Sequence, residues 1–433
     1  MPEDNLPALK SILTTALTQS PLMLTQNVNL AQSAANRYGS DSPLWPTLGG
    51  SAGYGVNGGR TTSDPPSSSK STGLSYGIGF TQSLYQWGAL KAQSDIGKLA
   101  QQVTERQFAD AYRGLASSLR AQFLSLIAKK IYIRNSRYDL ELMQANVDAK
   151  AEQVRTGILS EADLNLPRIY LLEAHLNIDR ALQDYDYAKT IFMRLAGVQD
   201  IPEESIPAQV VRPAYQAEVA QALLNSFLGG GINETFQAQI YILTLKQNDL
   251  NYQIVKTGLY YPKFSFSANY NLSTSTNFLP TGPSTTSGIT YGAGINASVP
   301  LFNGFATHGA KLSALATKRS TTQQLHNYLD SASDTAQNLR KQLDLAARAL
   351  AIAEDRRALA EDGVRKTTDQ FNEGTMSKDG LQQVTANFNA VDYATQSVRM
   401  EFLNRWTDYV SLVGADPILG LIPANYKNLP HGK

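Results

Sequence analysis

Phe264-Ser265-Phe266-Ser267-Ala268-Asn269-Tyr270-Asn271-Leu272 places an apolar residue at every second position and a small polar one between. Successive side chains of a β-strand point to opposite faces, so this stretch predicts a strand with one apolar and one polar face. Three other stretches read alike. Leu48, Gly50, Ala52, Tyr54 and Val56 share a face of 47–56, and Leu74, Tyr76, Ile78 and Phe80 share one of 74–81. Tyr291, Ala293, Ile295, Ala297, Val299 and Leu301 do the same over 291–302. Each run is about ten residues long, which suits a tilted transmembrane strand. A soluble sandwich also alternates, but it has more strands and buries its inner faces. Here the second faces are Gly, Ser, Asn and Thr, with nothing to bury. Apolar outside and polar inside is the pattern of a membrane barrel. No open sheet edge survives in lipid, and a barrel needs about eight strands, so four per chain demand partner chains. Two copies would give eight strands and three would give twelve. Residues 57–73 and 273–288, rich in Gly, Ser, Thr and Pro, read as the exposed loops of two long hairpins.

The chain is written twice. Trp45-Pro46-Thr47-Leu48 corresponds to Tyr261-Pro262-Lys263-Phe264, and Tyr76-Gly77-Ile78-Gly79 to Tyr291-Gly292-Ala293-Gly294. Leu84-Tyr85-Gln86 corresponds to Leu301-Phe302-Asn303, and Leu195-Ala196-Gly197 to Leu412-Val413-Gly414. Arg155-Thr156-Gly157-Ile158-Leu159-Ser160 corresponds to Asn372-Glu373-Gly374-Thr375-Met376-Ser377. Markers in one order, each pair 215 to 217 positions apart, indicate an internal duplication rather than chance likeness. The first repeat spans 1–197, with a helix, a β-hairpin over 47–85, a long helix over 89–155 and a return helix over 159–196. The second spans 231–414, with a helix, a hairpin over 263–302, a long helix over 305–372 and a return helix over 376–413. Residues 198–230 form a linker and equatorial segment, proline-rich over 200–213, and 415–433 a C-terminal tail.

The long helices follow from what those stretches lack. Residues 89–155 contain no proline and only Gly97 and Gly114, and apolar residues recur at three- and four-residue steps, as at Leu115, Leu119, Phe123, Leu126 and Ile127. At 1.5 Å per residue such a helix rises roughly 100 Å. Leu325, Leu329, Leu339, Leu343 and Leu350 repeat the pattern in 305–372. Helices this long imply coiled-coil-like assembly. Gly157 and Gly374 stand where each turns back, and glycine readily supplies the left-handed turn there.

Composition excludes several functions. Lys and Arg number 38 against 37 Asp and Glu, so the net charge of +1 leaves no basic footprint for nucleic acid. The absence of cysteine removes disulfides, thiolate metal sites, a cysteine nucleophile and an acceptor for an N-terminal lipid. No run of about 18 apolar residues is present. Met1-Pro2-Glu3-Asp4 opens without a signal peptide, so an exported protein is expected to have lost its signal from this sequence. Gly53-Tyr54-Gly55-Val56-Asn57-Gly58 fits GxGxxG, but Pro65-Pro66 follows soon after, where a dinucleotide site needs a helix. His175, His308, His326 and His431 lack ligand spacing, so surface positions are favoured over a metal site. No Ser/His/Asp set stands out, and neither catalysis nor a cofactor is expected.

The order helix, strand pair, very long helix, glycine turn and return helix, all in duplicate, resembles the TolC family of outer-membrane efflux proteins over nearly the whole chain. Leu17-Thr18-Gln19-Ser20-Pro21, the Trp-Pro and Tyr-Pro strand entries, Val299-Pro300-Leu301-Phe302-Asn303-Gly304 and the turns Gly157–Leu164 and Gly374–Leu381 carry the likeness. The resemblance implies an α+β membrane protein with a long-helix α-barrel continuous with a transmembrane β-barrel, twelve strands in a homotrimer. It implies an outer-membrane location projecting through the periplasm, an equatorial belt near 198–230 and 415–433, and contact with outer-membrane lipid. It also implies a periplasmic adaptor at the tips, linked to an inner-membrane pump of the resistance-nodulation-division or ABC class.

By this resemblance Gly157, Leu159, Ser160, Gly374, Thr375 and Ser377 would contact the adaptor. Arg155, Glu161, Asp163, Glu373, Lys378 and Asp379 would form a periplasmic gate of exposed ion pairs across packed helices, against the alternative of solvated helix ends. Asp163 keeps an acidic position of the family's first turn. Gly380 and Gln383 stand where the best-known member has its acidic constriction, Met376 replaces an arginine and Phe371 a tyrosine, while Asp379 lies one residue out of register. The resemblance thus implies a passive duct for drugs or other small molecules, not an enzyme. A type I secretion duct for polypeptides is the alternative within the family. A periplasmic adaptor fits less well, since adaptors have one helical hairpin and soluble β-domains.

Overall fold

A computed structural model describes residues 1–62, 67–258, 261–279, 282–423 and Tyr426. His431 and the other tail positions after 426 lie outside the described residues, as do 63–66 within the first hairpin loop. The order of elements is α1 (Pro7–Gln19), α2 (Pro21–Asp41), β1 (Thr47–Thr61), β2 (Ser67–Tyr85), α3 (Ala89–Arg155) and α4 (Ala162–Ala196). Then come α5 (Ala217–Leu228), α6 (Phe236–Thr257), β3 (Lys263–Leu279), β4 (Gly282–Ser298), α7 (Ala306–Asn372) and α8 (Lys378–Leu412). The duplication is metrical: α3 and α7 have 67 residues each, α4 and α8 35 each. Among the described residues no helix is long and apolar enough to cross a membrane.

The strands form one antiparallel sheet in the order β1-β2-β3-β4. Its register puts the alternating apolar residues in phase on all four strands. Leu48 opposes Phe80, Ala52 opposes Tyr76, Tyr76 opposes Leu272 and Leu272 opposes Ile289. The other face carries Gly77 against Asn271, Asn269 against Gly292 and Thr81 against Ser267. A one-residue slip in any pair would mix the faces, so the pattern itself specifies the register. Among the described residues β1 and β4 have no second strand partner.

The strands outrun the sequence expectation. Residues 57–73 and 273–288, read as loops, are largely strand, and the four strands have 15, 19, 17 and 17 residues. Pairing continues out to Thr61–Ser67 and Leu279–Gly282. A ladder needs backbone groups rather than an apolar face, and hydroxyl pairs tie it across: Thr274 to Ser287 at 3.0 Å and Thr276 to Thr285 at 2.9 Å. GxGxxG at 53–58 lies within β1 and opens no helix.

Each passage from sheet to long helix uses two consecutive left-handed residues, Trp87 (φ 53) and Gly88 (φ 83), then Gly304 (φ 63) and Phe305 (φ 67). Trp87 and Phe305 have side chains that disfavour this region by roughly 1–2 kcal/mol. Trp87 has local anchors, whereas Phe305 is 73% exposed and has a single ring contact. Trp87 Nε1–H donates to the Pro262 carbonyl at 2.9 Å and its ring lies 4.6 Å from Tyr261, while Phe305 meets Phe302 edge-on at 5.6 Å.

The chain divides into two compact units, and each draws on both repeats. One comprises Leu30–Thr104 and Ile240–His326, and includes the sheet; the other comprises Met1–Asn29, Glu105–Gln239 and Asn327–Lys433. In the second unit, Ala220, Leu224 and Phe227 of α5 pack with Ala332, Ala336 and Leu343 of α7 and with Phe402 and Tyr409 of α8. The segment read as a linker is anchored. Ile201, Ile206 and Val210 are buried, Lys130 Nζ donates to the carbonyls of Glu203 and Ile206, and Arg399 donates to the Val210 carbonyl at 2.7 Å. Arg399 also makes a bidentate pair with Glu354 at 2.6 and 2.8 Å, which holds that carboxylate below its ordinary range.

Glu3 and Asp416 meet at Arg120, which is completely buried on α3. Its guanidinium pairs with Glu3 and with Asp416, at 2.5 and 2.9 Å to the latter. Burial alone would lower its pKa, but the hydrogen bonds it donates to Asp416 and Glu3 outweigh that and raise it. Two carboxylates buried against one guanidinium are costly to leave unpaired. Arg120→Met is therefore expected to destabilise the fold by about 3–5 kcal/mol in thermal or denaturant unfolding, whereas adding Glu3→Gln and Asp416→Asn should recover most of that loss.

Candidate functional site

The candidate site is the pair of turns that reverse α3 into α4 and α7 into α8. Both are built alike. Gly157 (φ 80) and Gly374 (φ 77) adopt the left-handed conformation. The Gln153 carbonyl accepts from Ile158 and Leu159 at 2.9 and 3.2 Å; the Gln370 carbonyl accepts from Thr375 and Met376 at the same two distances. Gly157 N–H bonds back to Val154 and Gly374 N–H to Phe371, each at 3.0 Å. Carbonyls that the helix ends leave open are thereby satisfied. A Cβ on either glycine would meet nothing within 4 Å, so only the positive φ demands glycine.

The two turns differ in how the return helix starts. In the first, the Ser160 N–H and Oγ–H both donate to Asp163 Oδ2, at 3.0 and 2.6 Å. In the second, Ser377 is the N-cap and its Oγ accepts from Gly380 N–H at 3.1 Å. The caps consume residues expected to be helical: the return helices begin at Ala162 and Lys378 rather than at 159 and 376, and α8 ends at Leu412 rather than 413. Asp163 is held below its ordinary carboxylate range, first by the Ser160 hydroxyl and then by the Ser160 N–H.

Within the chain the gate residues do not form the network read from their proximity in sequence. Arg155 turns back along its own helix to pair with Glu152, which is three residues away and lies on the same face. Asp163 is occupied by Ser160. Among the described residues, Glu161, Glu373, Lys378 and Asp379 enter no ion pair within the chain. Of the residues expected to meet an adaptor, Gly157, Ser160, Gly374, Thr375 and Ser377 are exposed and Leu159 is half-buried, while the neighbouring Ile158 is 73% exposed. Ile158 carries more apolar surface than any residue expected there, and its place just after a turn glycine was the available signal.

Elsewhere, among the described residues, no group of three or more His, Cys, Asp and Glu is placed to hold a metal ion. The polar face of the sheet offers mostly small hydroxyls and amides.

Residues 12–198, nearly all of the first repeat, match the family described as outer membrane efflux protein. No curated protein matches the chain in sequence. Solved channels share its fold at low identity. The CmeC outer membrane channel of Campylobacter jejuni is 14% identical with a TM-score of 0.70, over 99% of this chain and 91% of that one. The outer membrane protein VceC of Vibrio cholerae is 13% identical with a TM-score of 0.65, over 94% and 96%. The MtrE outer membrane channel of Neisseria gonorrhoeae, solved in an open state, is 14% identical with a TM-score of 0.66, over 94% and 89%.

A depressed acid constant stabilises the folded turn above the ordinary aspartate value, and the contribution is lost as pH falls through the lower, folded value. Hydrogen exchange over 157–164 is therefore expected to be faster in Asp163→Ala than in the unmodified protein at neutral pH, and the ratio of the two rates should fall towards one on acidification.

Proposed function

We propose that this TolC-type outer-membrane efflux protein is the passive exit duct of a tripartite system, assembled from three copies and exporting drugs or other small molecules. The observation that carries the proposal is the sheet: one continuous apolar face, one small polar face and two open edges, joined to two helices of 67 residues. Side by side, three such sheets close a twelve-stranded barrel whose polar faces line a wide bore. The helices also carry unpartnered apolar stripes. On α7, Leu345, Ile352 and Leu359 recur at seven-residue spacing and are 62–74% exposed; on α4, Leu166, Ile169 and Leu172 are at least half exposed. A heptad-spaced stripe is a helix-packing seam, which supports lateral contact with a neighbouring copy.

The two turns are the proposed docking points for a periplasmic adaptor that connects the duct to an inner-membrane pump. Their exposed backbone, glycines and Ile158 offer a small adaptable surface. Gly157→Val or Gly374→Val is expected to weaken adaptor cross-linking and drug resistance while leaving outer-membrane insertion intact. Normal cross-linking in both variants would place the contact elsewhere.

The gate is proposed to act between copies. Glu161, Glu373, Lys378 and Asp379 remain for partners on neighbouring chains, and each exposed pair contributes only ~0.2–1 kcal/mol, so threefold repetition matters. Asp163→Ala with Lys378→Ala is expected to raise single-channel conductance in planar bilayers. Trivalent cations should block the unmodified protein weakly, because Gly380 and Gln383 supply no acidic ring. Unchanged conductance would remove the latch, and tight block would show that Asp379 or another carboxylate lines the constriction.

A further inference from the structure

The four strands carry three charged residues, Arg60, Lys70 and Lys263, all cationic and none acidic. Arg60 and Lys70 stand at the hairpin-loop end. Both are in phase with the apolar face: Arg60 follows Leu48, Tyr54 and Val56 at even spacing, and Lys70 precedes Leu74, Tyr76 and Ile78 in the same way. Each therefore points outward, to the lipid side, rather than into the bore.

The register brings them together. Lys70 opposes Gly58 and Arg60 opposes Ser68, so the two cations are diagonal neighbours on adjacent strands, about 7–8 Å apart at the backbone. Across the other ladder Lys70 opposes Phe278, and its ammonium lies 5.9 Å from the ring centroid. Arg60 and Lys70 are exposed, and Phe278 is 45% exposed. One acidic residue, Asp64, lies between the cations in sequence and outside the described residues; the group stays net positive with it counted. Like charges side by side on one face are unfavourable without an anion between them.

Their height selects the anion. Val56 is the last large apolar residue of β1 on this face; Arg60 lies four residues beyond it, and Lys70, opposite Gly58, lies two residues beyond the Val56 row. Two to four residues rise about 7–13 Å along a strand, or roughly 5–10 Å along the membrane normal at a 35–45° tilt. Headgroups occupy roughly the first 5–8 Å outside the hydrocarbon, and Arg and Lys reach several ångströms along a surface. Thr72 and Thr276 flank Val56 in its own row, so the apolar face is already giving way to hydroxyls one row before Lys70.

We propose that Arg60 and Lys70, with Phe278 beside them, hold the phosphate of a phosphorylated glycolipid in the outer leaflet. Arg supplies a planar fork for two phosphate oxygens, Lys a point charge, and Phe278 an apolar ledge against the acyl boundary. Three copies would repeat the site three times around the barrel. The inference rests on the channel reading, which gives the loop end its outward orientation.

The test uses the full-length protein in detergent, with native mass spectrometry reading bound lipid. The probes are a bisphosphorylated glucosamine lipid and the same lipid with its phosphates removed. The unmodified protein is expected to retain the phosphorylated lipid at least tenfold better, and Arg60→Gln/Lys70→Gln to abolish the preference while still entering bilayers. Arg60→Lys/Lys70→Arg should keep most of it. Equal retention of the two lipids by the unmodified protein, or a preference that survives the double Gln variant, would overturn the inference. An unmodified chain that enters no bilayer would contradict the channel reading instead.

Discussion

A sheet with one face turned to lipid cannot leave its edges open, because no water is present there to satisfy the backbone. β1 and β4 are the edges of this sheet, and the described residues include no further strand to cover them. Every other large feature is compatible with that debt being settled between copies. The polar face carries Lys263 and otherwise mostly small residues, which on the proposed reading line a bore. The helices expose apolar stripes at coiled-coil spacing, and the buried contacts of the chain are concentrated where α5, α7 and α8 meet and where Glu3 and Asp416 reach Arg120. On the proposed reading such a chain is stable through its helices and completed through its neighbours.

On the proposed reading the chain controls access rather than a reaction. The turns display glycine backbone and an exposed isoleucine. The charges on the strands are sparse and cationic.

Much of this architecture was legible in the sequence, and the parts that were not share a cause. Alternation over 264–272 and its three counterparts gave the faces, because period two reports directly on which side chains share a side. The spacing of markers about 217 residues apart exposed the duplication, and the glycines marked the turns. Strand ends were misread because backbone pairing continues where apolar alternation stops, as at Thr274–Thr276. Pro-rich residues 200–213 looked like a free linker because their anchors, Lys130, Gln396 and Arg399, are remote in sequence. Arg120, Glu3 and Asp416 could not be matched by inspection for the same reason. At the tips the residues were visible but their partners were not: Arg155 had a nearer carboxylate in Glu152, and Asp163 a nearer donor in Ser160.

The central claim is closure of the sheet by identical neighbours, and the absence of native cysteine makes it directly measurable. Single cysteines introduced along β1 can be combined with single cysteines along β4 in one chain and oxidised in native membranes. The account predicts that some β1–β4 registers give a covalent species of three chains that cannot be extended further. Cross-linking that stops at two chains, runs on into an open ladder, or fails at every register would contradict it.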